Sequence, residues 1–214
     1  MQYETIDELY RSRRTLLEHL DEQGYDTAPY MKFSHKEIME MVKAGPMTGA
    51  PPALQMDLVS KDGLEKCMVV TTLGKIKQKL NPFTSKLVDP EETSFDPATT
   101  ELIIITLEPI APNFHAMAYH FWSNKKTRVR YFQAKAIINN PLKHILVPPH
   151  EKVPKEEETA LLKQLYAKKS QFPLIRFHED PIARMLGLLP GDIVKITRSS
   201  PTAGVYVFHR VCVP

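Results

Sequence analysis

The sequence predicts a mixed α/β chain of two domains: an N-terminal α/β domain over residues 1–140 and a small C-terminal α+β domain with a β-hairpin over residues 141–214. Three observations carry that expectation. Apolar residues recur at helical spacing near the start, short β-branched runs bounded by turn residues fill the middle, and the composition changes at "NNPLKHILVPPHEKVP", which holds four prolines between Pro141 and Pro154. A length of 214 residues fits this division, since domains most often run to about 100–150 residues.

The elements follow in order. Ile6, Leu9, Tyr10, Leu16, Leu17 and Leu20 mark an amphipathic helix that Gly24 stops. Arg11 and Arg14 lie off its apolar stripe, whereas Arg13 falls on it. "SHKEIMEMV" is a second helix, with Ser34 and Glu37 at the spacing of a capping box. "AGPMTGAPPAL" (44–54) breaks all periodicity and reads as a loop. "KCMVVTTL" and "ELIIITLEPI" read as strands, and "NPFTSKLVDPEETSFDPATT" between them reads as a long exposed loop. "YFQAKAIINN" is a helix or a strand; its type stays ambiguous.

Beyond the boundary, "KEEETALLKQLYAKK" is a helix with acids in its first turn and lysines in its last, the order the helix dipole favours. "QFPLI" is a short extended piece. In "DPIARMLGLLPGDIVKITRSSPTAG", Asp180 suits an N-cap, Pro181 the first helical position and Gly187 the residue after a helix end. "IVKIT" and "VYVFHRV" are the strands of a hairpin joined at "SSPTAG".

Composition and motifs restrict the chemistry. Apolar residues make up 43% and charged residues 25%, as in ordinary globular proteins, so long disorder is not expected. No apolar run approaches the roughly 20 residues of a membrane helix, and "MQYETIDELYRSRR" lacks the apolar core of a signal peptide. Cys67 and Cys212 form no disulfide framework or zinc spacing, which points to a reducing compartment, cytosol or nucleus. Residues 1–140 carry 17 Lys+Arg against 18 Asp+Glu, and residues 141–214 carry 11 against 7. Neither half is basic enough for charge alone to argue autonomous DNA binding.

Gly187 and Gly191 lie in no G-x-x-x-x-G-K-S/T pattern, and Asp192 would repel a phosphate, so this is not a nucleotide loop. His144 and His150 flank "ILVPP" without a Cys or acid at a zinc spacing. "HED" (178–180) places three titratable groups together, but Asp180 already serves as a cap. Ser199 and Ser200 sit in no nucleophile-elbow context. No metal, no cofactor and no catalytic residue are expected. "KKTRVRYF" (125–132) interleaves cations with aromatics, as nucleic-acid surfaces do, and also fits a solvated helix or strand face.

The C-terminal segment resembles a known family. "HILVPPH" is similar to an H-x-L-V-P-x-H signature, "LLKQLYAKKSQFPLI" to a helix followed by Q-L-P-x-I, and "DPIARMLGLLPGDIVKITRSSPTAGVYVFHR" to the run that opens D-P-x-A-R-x-x-G. These are motifs of the fifth subunit of eukaryotic nuclear RNA polymerases, whose C-terminal half corresponds to a small subunit of the archaeal polymerase. Leu146, Val147, Pro148, His150, Gln171, Pro173, Asp180, Pro181, Arg184, Gly187, Gly191, Arg198, Thr202, Gly204, Tyr206 and Arg210 occupy motif positions. More faintly, "LYRSRRTLLEHLDEQGY" is similar to the family's opening, with Arg11, Arg14, Thr15, Gly24 and Tyr25 in place. Arg13 stands where an apolar residue is usual. "APNFHAMA" sits where the family has T-P-S-A-K, in a loop on the side of downstream DNA; Ala111 and Asn113 depart from it. Pro201, Val205 and His209 also depart, as in a divergent, dedicated or viral member.

The resemblance implies a non-catalytic polymerase subunit, nuclear or in a viral compartment. Its N-terminal jaw domain would guide downstream duplex DNA, and its C-terminal assembly domain would dock on the largest subunit. His150, Asp180, Pro181, Arg184, Gly187, Arg198, Thr202, Gly204 and Arg210 would meet that partner; Arg11, Arg14, Lys125, Lys126, Arg128 and Arg130 would meet nucleic acid. For Arg184, Arg198 and Arg210 the competing role is an internal hydrogen bond to a carbonyl. No membrane and no second copy of the chain are expected as partners. The alternative is a free-standing nucleic-acid-binding protein that uses residues 125–130.

Overall fold

The computed structural model describes residues 3–44, 50–89, 95–202 and 204–214. The chain divides into two compact units, Met1–Asn140 and Pro141–Pro214. No described helix is long and apolar enough to cross a membrane.

The N-terminal unit opens with α1 (Tyr3–Glu22), which buries Ile6, Leu9, Leu16, Leu17 and Leu20 together with Arg13. Gly24, at φ 95, lets the chain leave the helix in a left-handed turn that a side chain would strain. After the short α2 (Ala28–Met31) comes α3 (His35–Ala44). Its capping box is formed: the Ser34 amide donates to Glu37 Oε2 at 2.7 Å, and the Glu37 amide donates to Ser34 Oγ at 3.4 Å. The loop expected over 44–54 includes residues 45–49, outside the described set, and ends in a single 3-10 turn at Pro52–Leu54.

The sheet is built from β1 (Met56–Val59), β2 (Lys66–Thr72), β3 (Thr100–Thr106) and β4 (Arg128–Gln133), in that order. β1 and β2 are antiparallel; β2–β3 and β3–β4 are parallel. Parallel neighbours need crossover connections, here made by α4 (Leu80–Val88) and α5 (Pro112–Lys125). β3, an inner strand, buries all seven residues. That is why its centre, residues 102–105, is a continuous apolar run rather than an alternating one.

Two expectations are corrected here. The stretch 81–100 is not one exposed loop, because α4 buries Leu80, Thr84 and Val88, one residue per turn, and Thr84 hydrogen-bonds Tyr131 at 2.9 Å. Residues 90–94 of that stretch lie outside the described set. "APNFHAMA" is likewise not a loop but the first turns of α5, with Pro112 at the first helical position, where no amide partner is needed. The ambiguous "YFQAKAIINN" divides into the end of β4 and a 3-10 turn at Ala134–Ile137 that packs against α1. Thr15 Oγ1 donates to the Ile138 carbonyl at 2.8 Å.

The C-terminal unit comprises β5 (His150–Lys152), α6 (Lys155–Gln164), β6 (Leu174–Arg176), α7 (Pro181–Met185), β7 (Ile193–Ser200) and β8 (Gly204–Val213). The strand order is β5-β7-β8-β6, with β6 parallel to β8 and the other pairs antiparallel. Val153, Ile193 and Val211 form a core against which Leu161, Leu162 and Phe172 pack. α6 is shorter than the sequence suggests. It ends at Gln164 because Tyr166 turns left-handed at φ 49, and the Ala167 amide closes back on the Leu162 carbonyl at 3.1 Å. Lys168 and Lys169 therefore lie beyond the helix, and Lys169 pairs with Glu158 and donates to the Gly191 carbonyl.

Candidate interaction surfaces

In the turn before β7, Asp192 serves the fold. It is 1% exposed, accepts from the Leu189 amide at 2.8 Å and pairs with Lys152 at 2.7 Å. The "HED" side chains go to separate tasks. Asp180 caps α7 by accepting from Ile182 and Ala183 at 2.8 and 3.2 Å, Glu179 pairs with Arg176, and His178 is buried at φ 57. Among the described residues no three His, Cys, Asp or Glu side chains cluster as a metal would need. Cys67 and Cys212 are free and buried, and burial pushes the Cys212 thiol up to about 12.

The residues read as partner-facing divide between the β7–β8 hairpin (Arg198, Thr202, Gly204 and Arg210), α7 and its ends (Asp180, Pro181, Arg184 and Gly187) and β5 (His150). Gly187, at φ 62, follows α7, and Gly204, at φ 69, starts β8; both angles favour glycine. Thr202 is exposed at the hairpin turn, with its hydroxyl 3.3 Å from that of Ser200. Phe208 is the centre of a cationic stack: Arg198 lies 4.8 Å and Arg210 6.0 Å from its ring, and Tyr206 stacks on it at 5.8 Å. Arg210 also donates to the Leu174 carbonyl at 3.1 Å, so one of the three arginines serves an internal carbonyl. Arg184 is half-buried beside Pro181 and Asp180; desolvation lowers its pKa, which Asp180 partly restores. His150 pairs through its backbone with Ile196, and its Nδ1 lies 2.6 Å from the Pro148 carbonyl.

Next to Arg198 the surface is apolar. Ile145 is 95% exposed, Leu146 82% and Val205 65%. With Pro148 and Pro149 they border an open groove of about 720 Å³. Single exposed apolar side chains are ordinary, but a contiguous group marks a binding surface. Ile145, Val207 and Phe208 are not singled out by sequence reasoning, and Val205 is noted only as a departure from the family pattern. The available signal is the run "VYVF", apolar at both parities of a strand whose tip has no core on either side.

The basic cluster in the N-terminal unit separates into unlike parts. Lys125 and Lys126 are exposed, with ammonium groups 5.6 and 5.4 Å from the Phe121 and Trp122 rings, and they meet no carboxylate among the described residues. Arg128 pairs with Glu65 at 3.2 Å. Arg130 does not belong to a surface patch at all: it is 4% exposed and paired with Glu101, donating from Nη2 at 2.7 Å, with Nε 2.6 Å from the other carboxylate oxygen. Burial alone would lower its pKa, but the Glu101 carboxylate carries it above the ordinary value. On α1, Arg11 pairs with Asp7 at 3.8 Å and Arg14 with Glu18 at 3.1 Å; the latter hydrogen bond raises the Arg14 pKa.

Comparison with known proteins agrees with this architecture. Residues 139–212 match the family described as RNA polymerase Rpb5, C-terminal domain. The chain is 31% identical over 210 residues to the Dictyostelium discoideum "DNA-directed RNA polymerases I, II, and III subunit rpabc1", covering 98% of this chain and all of that protein. The archaeal "DNA-directed RNA polymerase subunit Rpo5" of Pyrococcus horikoshii is 49% identical over 74 residues, which is 35% of this chain and 89% of the relative. That of Archaeoglobus fulgidus is 56% identical over 70 residues, 33% of this chain and 91% of the relative. The match to the eukaryotic subunit runs nearly the full length of both chains, and on that ground this chain belongs to the Rpb5 family of DNA-directed RNA polymerase subunits.

Proposed function

We propose that the chain is a non-catalytic subunit whose C-terminal unit docks on the largest subunit of the polymerase, in the nucleus or at a viral site of transcription. The observation that carries this reading is the exposed apolar group at Ile145, Leu146 and Val205, whose groove Arg198 also lines. Apolar and aromatic side chains flanked by arginine are the composition of an interface centre. Permanent hetero-complexes commonly bury roughly 2,000 Å² or more, and a small domain gains from such a cover. His150, Asp180, Pro181, Arg184, Gly187, Thr202 and Gly204 remain proposed partner contacts by resemblance to the family; none of them lines this groove. Asp180, Pro181 and the two glycines act through backbone geometry.

The N-terminal unit would form part of the jaw that receives downstream duplex DNA. Lys125 and Lys126 are its best-placed phosphate-binding residues, because neither is neutralised within the described fold. Arg11, Arg14 and Arg128 would reach phosphate only by exchanging a carboxylate partner.

The test is purification of the tagged chain at moderate salt, with mass spectrometry of what accompanies it. Large polymerase subunits in equal stoichiometry are expected, and the identity of the largest names the polymerase. A chain recovered alone would overturn the docking reading.

A further inference from the structure

The hairpin of β7 and β8 runs past the strands that flank it. β6 pairs with β8 at residues 211–213, where the Val211 amide donates to the Pro173 carbonyl at 2.9 Å. From residue 204 to residue 209 that side of β8 has no neighbouring strand among the described residues. β8 pairs with β7 residue for residue from Val211 to Gly204, without a bulge, so its backbone groups alternate between the two edges. The Val211 amide points to β6, and the Cys212 amide points to β7, where it meets the Asp192 carbonyl at 2.8 Å. By that alternation Val205, Val207 and His209 direct N–H and C=O to the open edge. None of these groups has a hydrogen-bond partner among the described residues.

Natural sheet edges are blunted by lysine, proline, an inward charge or a bulge. This one is not: residues 204–209 read GVYVFH, with Val205 65%, Tyr206 56% and Val207 42% exposed. Its side chains alternate between two faces. Val205 and Val207 share one. Tyr206, Phe208 and Arg210 share the other, where Arg198 lies opposite Tyr206 and its guanidinium carbon sits 4.8 Å from the Phe208 ring centre. No carboxylate meets Arg198 or Arg210 among the described residues, in a unit that carries 11 Lys+Arg against 7 Asp+Glu. A second copy of this edge would set like charges side by side, which destabilises a strand pair. Phosphates of a nucleic acid accept hydrogen bonds but do not donate them, so they would leave the edge carbonyls unmatched. A polypeptide strand with acids on one face and apolar side chains on the other suits the backbone and both faces.

We propose that the open edge of β8 takes up an extended acidic segment of a partner polypeptide as an added strand, with apolar side chains beside Val205 and Val207 and a carboxylate beside Arg210. Read with the docking proposed above, on which this identification of the partner rests, the segment belongs to the polymerase. Main-chain hydrogen bonds supply the affinity, and the two faces supply the sequence preference.

The test is an amide chemical-shift and hydrogen-exchange titration of the full chain with acetyl-Val-Glu-Val-Thr-Val-Glu-amide and, for contrast, acetyl-Val-Lys-Val-Thr-Val-Lys-amide. The glutamate peptide is expected to slow exchange of the Val205 and Val207 amides and to bind at least ~10-fold more tightly than the lysine peptide. Val207→Pro removes an outward amide that β7 does not use and should weaken binding at least ~10-fold. Val207→Thr keeps that amide and should stay within about 3-fold of the unaltered chain. Should Val207→Pro fail to fold, exchange at Val205 and Val207 on the unaltered chain decides the matter. Equal binding of the two peptides, unchanged exchange at both amides, or no shift up to ~10 mM peptide would each overturn the proposal. So would binding retained in a folded Val207→Pro chain, self-pairing of the free chain through this edge, or binding of a thymidine hexanucleotide in the peptide's place. Assembly with polymerase separates this inference from the docking reading. A chain that assembles yet leaves the Val205 and Val207 amides in fast exchange keeps the docking and loses the added strand. A chain that takes the peptide but assembles with nothing keeps the added strand and loses the docking.

Discussion

β3 and β8 are both inner strands rich in apolar residues, and the two units treat them in opposite ways. β3 buries every residue from Thr100 to Thr106, between two parallel neighbours, within a unit whose crossovers are α4 and α5. β8 buries only Val211 and Cys212; its first four residues are exposed, with Val205 at 65%, Tyr206 at 56% and Val207 at 42%. The N-terminal unit closes its own core. The C-terminal unit carries a hairpin past the end of its core, where apolar side chains gain only from something outside the unit. An apolar strand thus means burial in the first case and exposed apolar surface in the second, the surface proposed above for docking.

The comparison can be broken most strongly at Glu101. Glu101→Ala leaves Arg130 buried without its carboxylate and should cost about 3–5 kcal/mol of stability, measured by denaturant unfolding. An unchanged midpoint would show that the closed core tolerates a bare charge. In the C-terminal unit the cost should move from folding to assembly. Ile145→Glu with Val205→Glu should leave the free chain within about 0.5 kcal/mol while weakening association by about 2 kcal/mol or more. Co-purification across a salt series, beside thermal unfolding of the free chain, reads both quantities. Retained association would remove the groove as the docking surface.

Smaller effects sharpen the contrast. Asp180→Ala removes the side-chain cap of α7 and should cost about 1 kcal/mol, read by the same unfolding curves; no loss would mean that α7 is held by packing alone. Lys125→Glu with Lys126→Glu should leave stability within about 0.5 kcal/mol. It should reduce the salt slope of DNA binding by the assembled polymerase by about 1 for each phosphate no longer neutralised. An unaltered slope would exclude the pair from the jaw.

How far the structure is legible in the sequence follows the same division. β3 announces itself because a strand buried on both faces is a continuous apolar run, and α7 because Asp180, Pro181 and Gly187 each perform a local task. α4 is hidden by composition. Its buried face includes Thr84, whose hydroxyl is satisfied by Tyr131 forty-seven positions later, a partner no local window contains. α5 is hidden by a narrow stripe, with only Phe114, Ala118 and Phe121 buried among His, Asn, Ser and Lys. Arg130 is misplaced by sequence for a similar reason. Next to Lys125 and Lys126 it reads as one more surface cation, and only the pairing of β3 with β4 brings Glu101 beneath it. The proposed docking surface is partly visible through Arg198, but the exposure of Ile145 depends on how the prolines carry the chain past β7.

The hydrogen bond between α1 and the segment after β4 bears on how the chain is made. Thr15 and Ile138 are 123 positions apart, so α1 leaves the ribosome first and finds its last support only when the whole unit has emerged. At elongation speeds of ~5–20 residues per second that interval is roughly 6–25 seconds. Throughout it Leu16, Leu17 and Leu20 lack the cover they have in the finished unit, and closing so long a loop is the slow kind of folding step. The hairpin of β7 and β8 needs no such wait, since its strands are joined by a turn of a few residues. The unit made last is thus the one equipped to fold at once, while the unit made first spends synthesis open to chaperones and proteases.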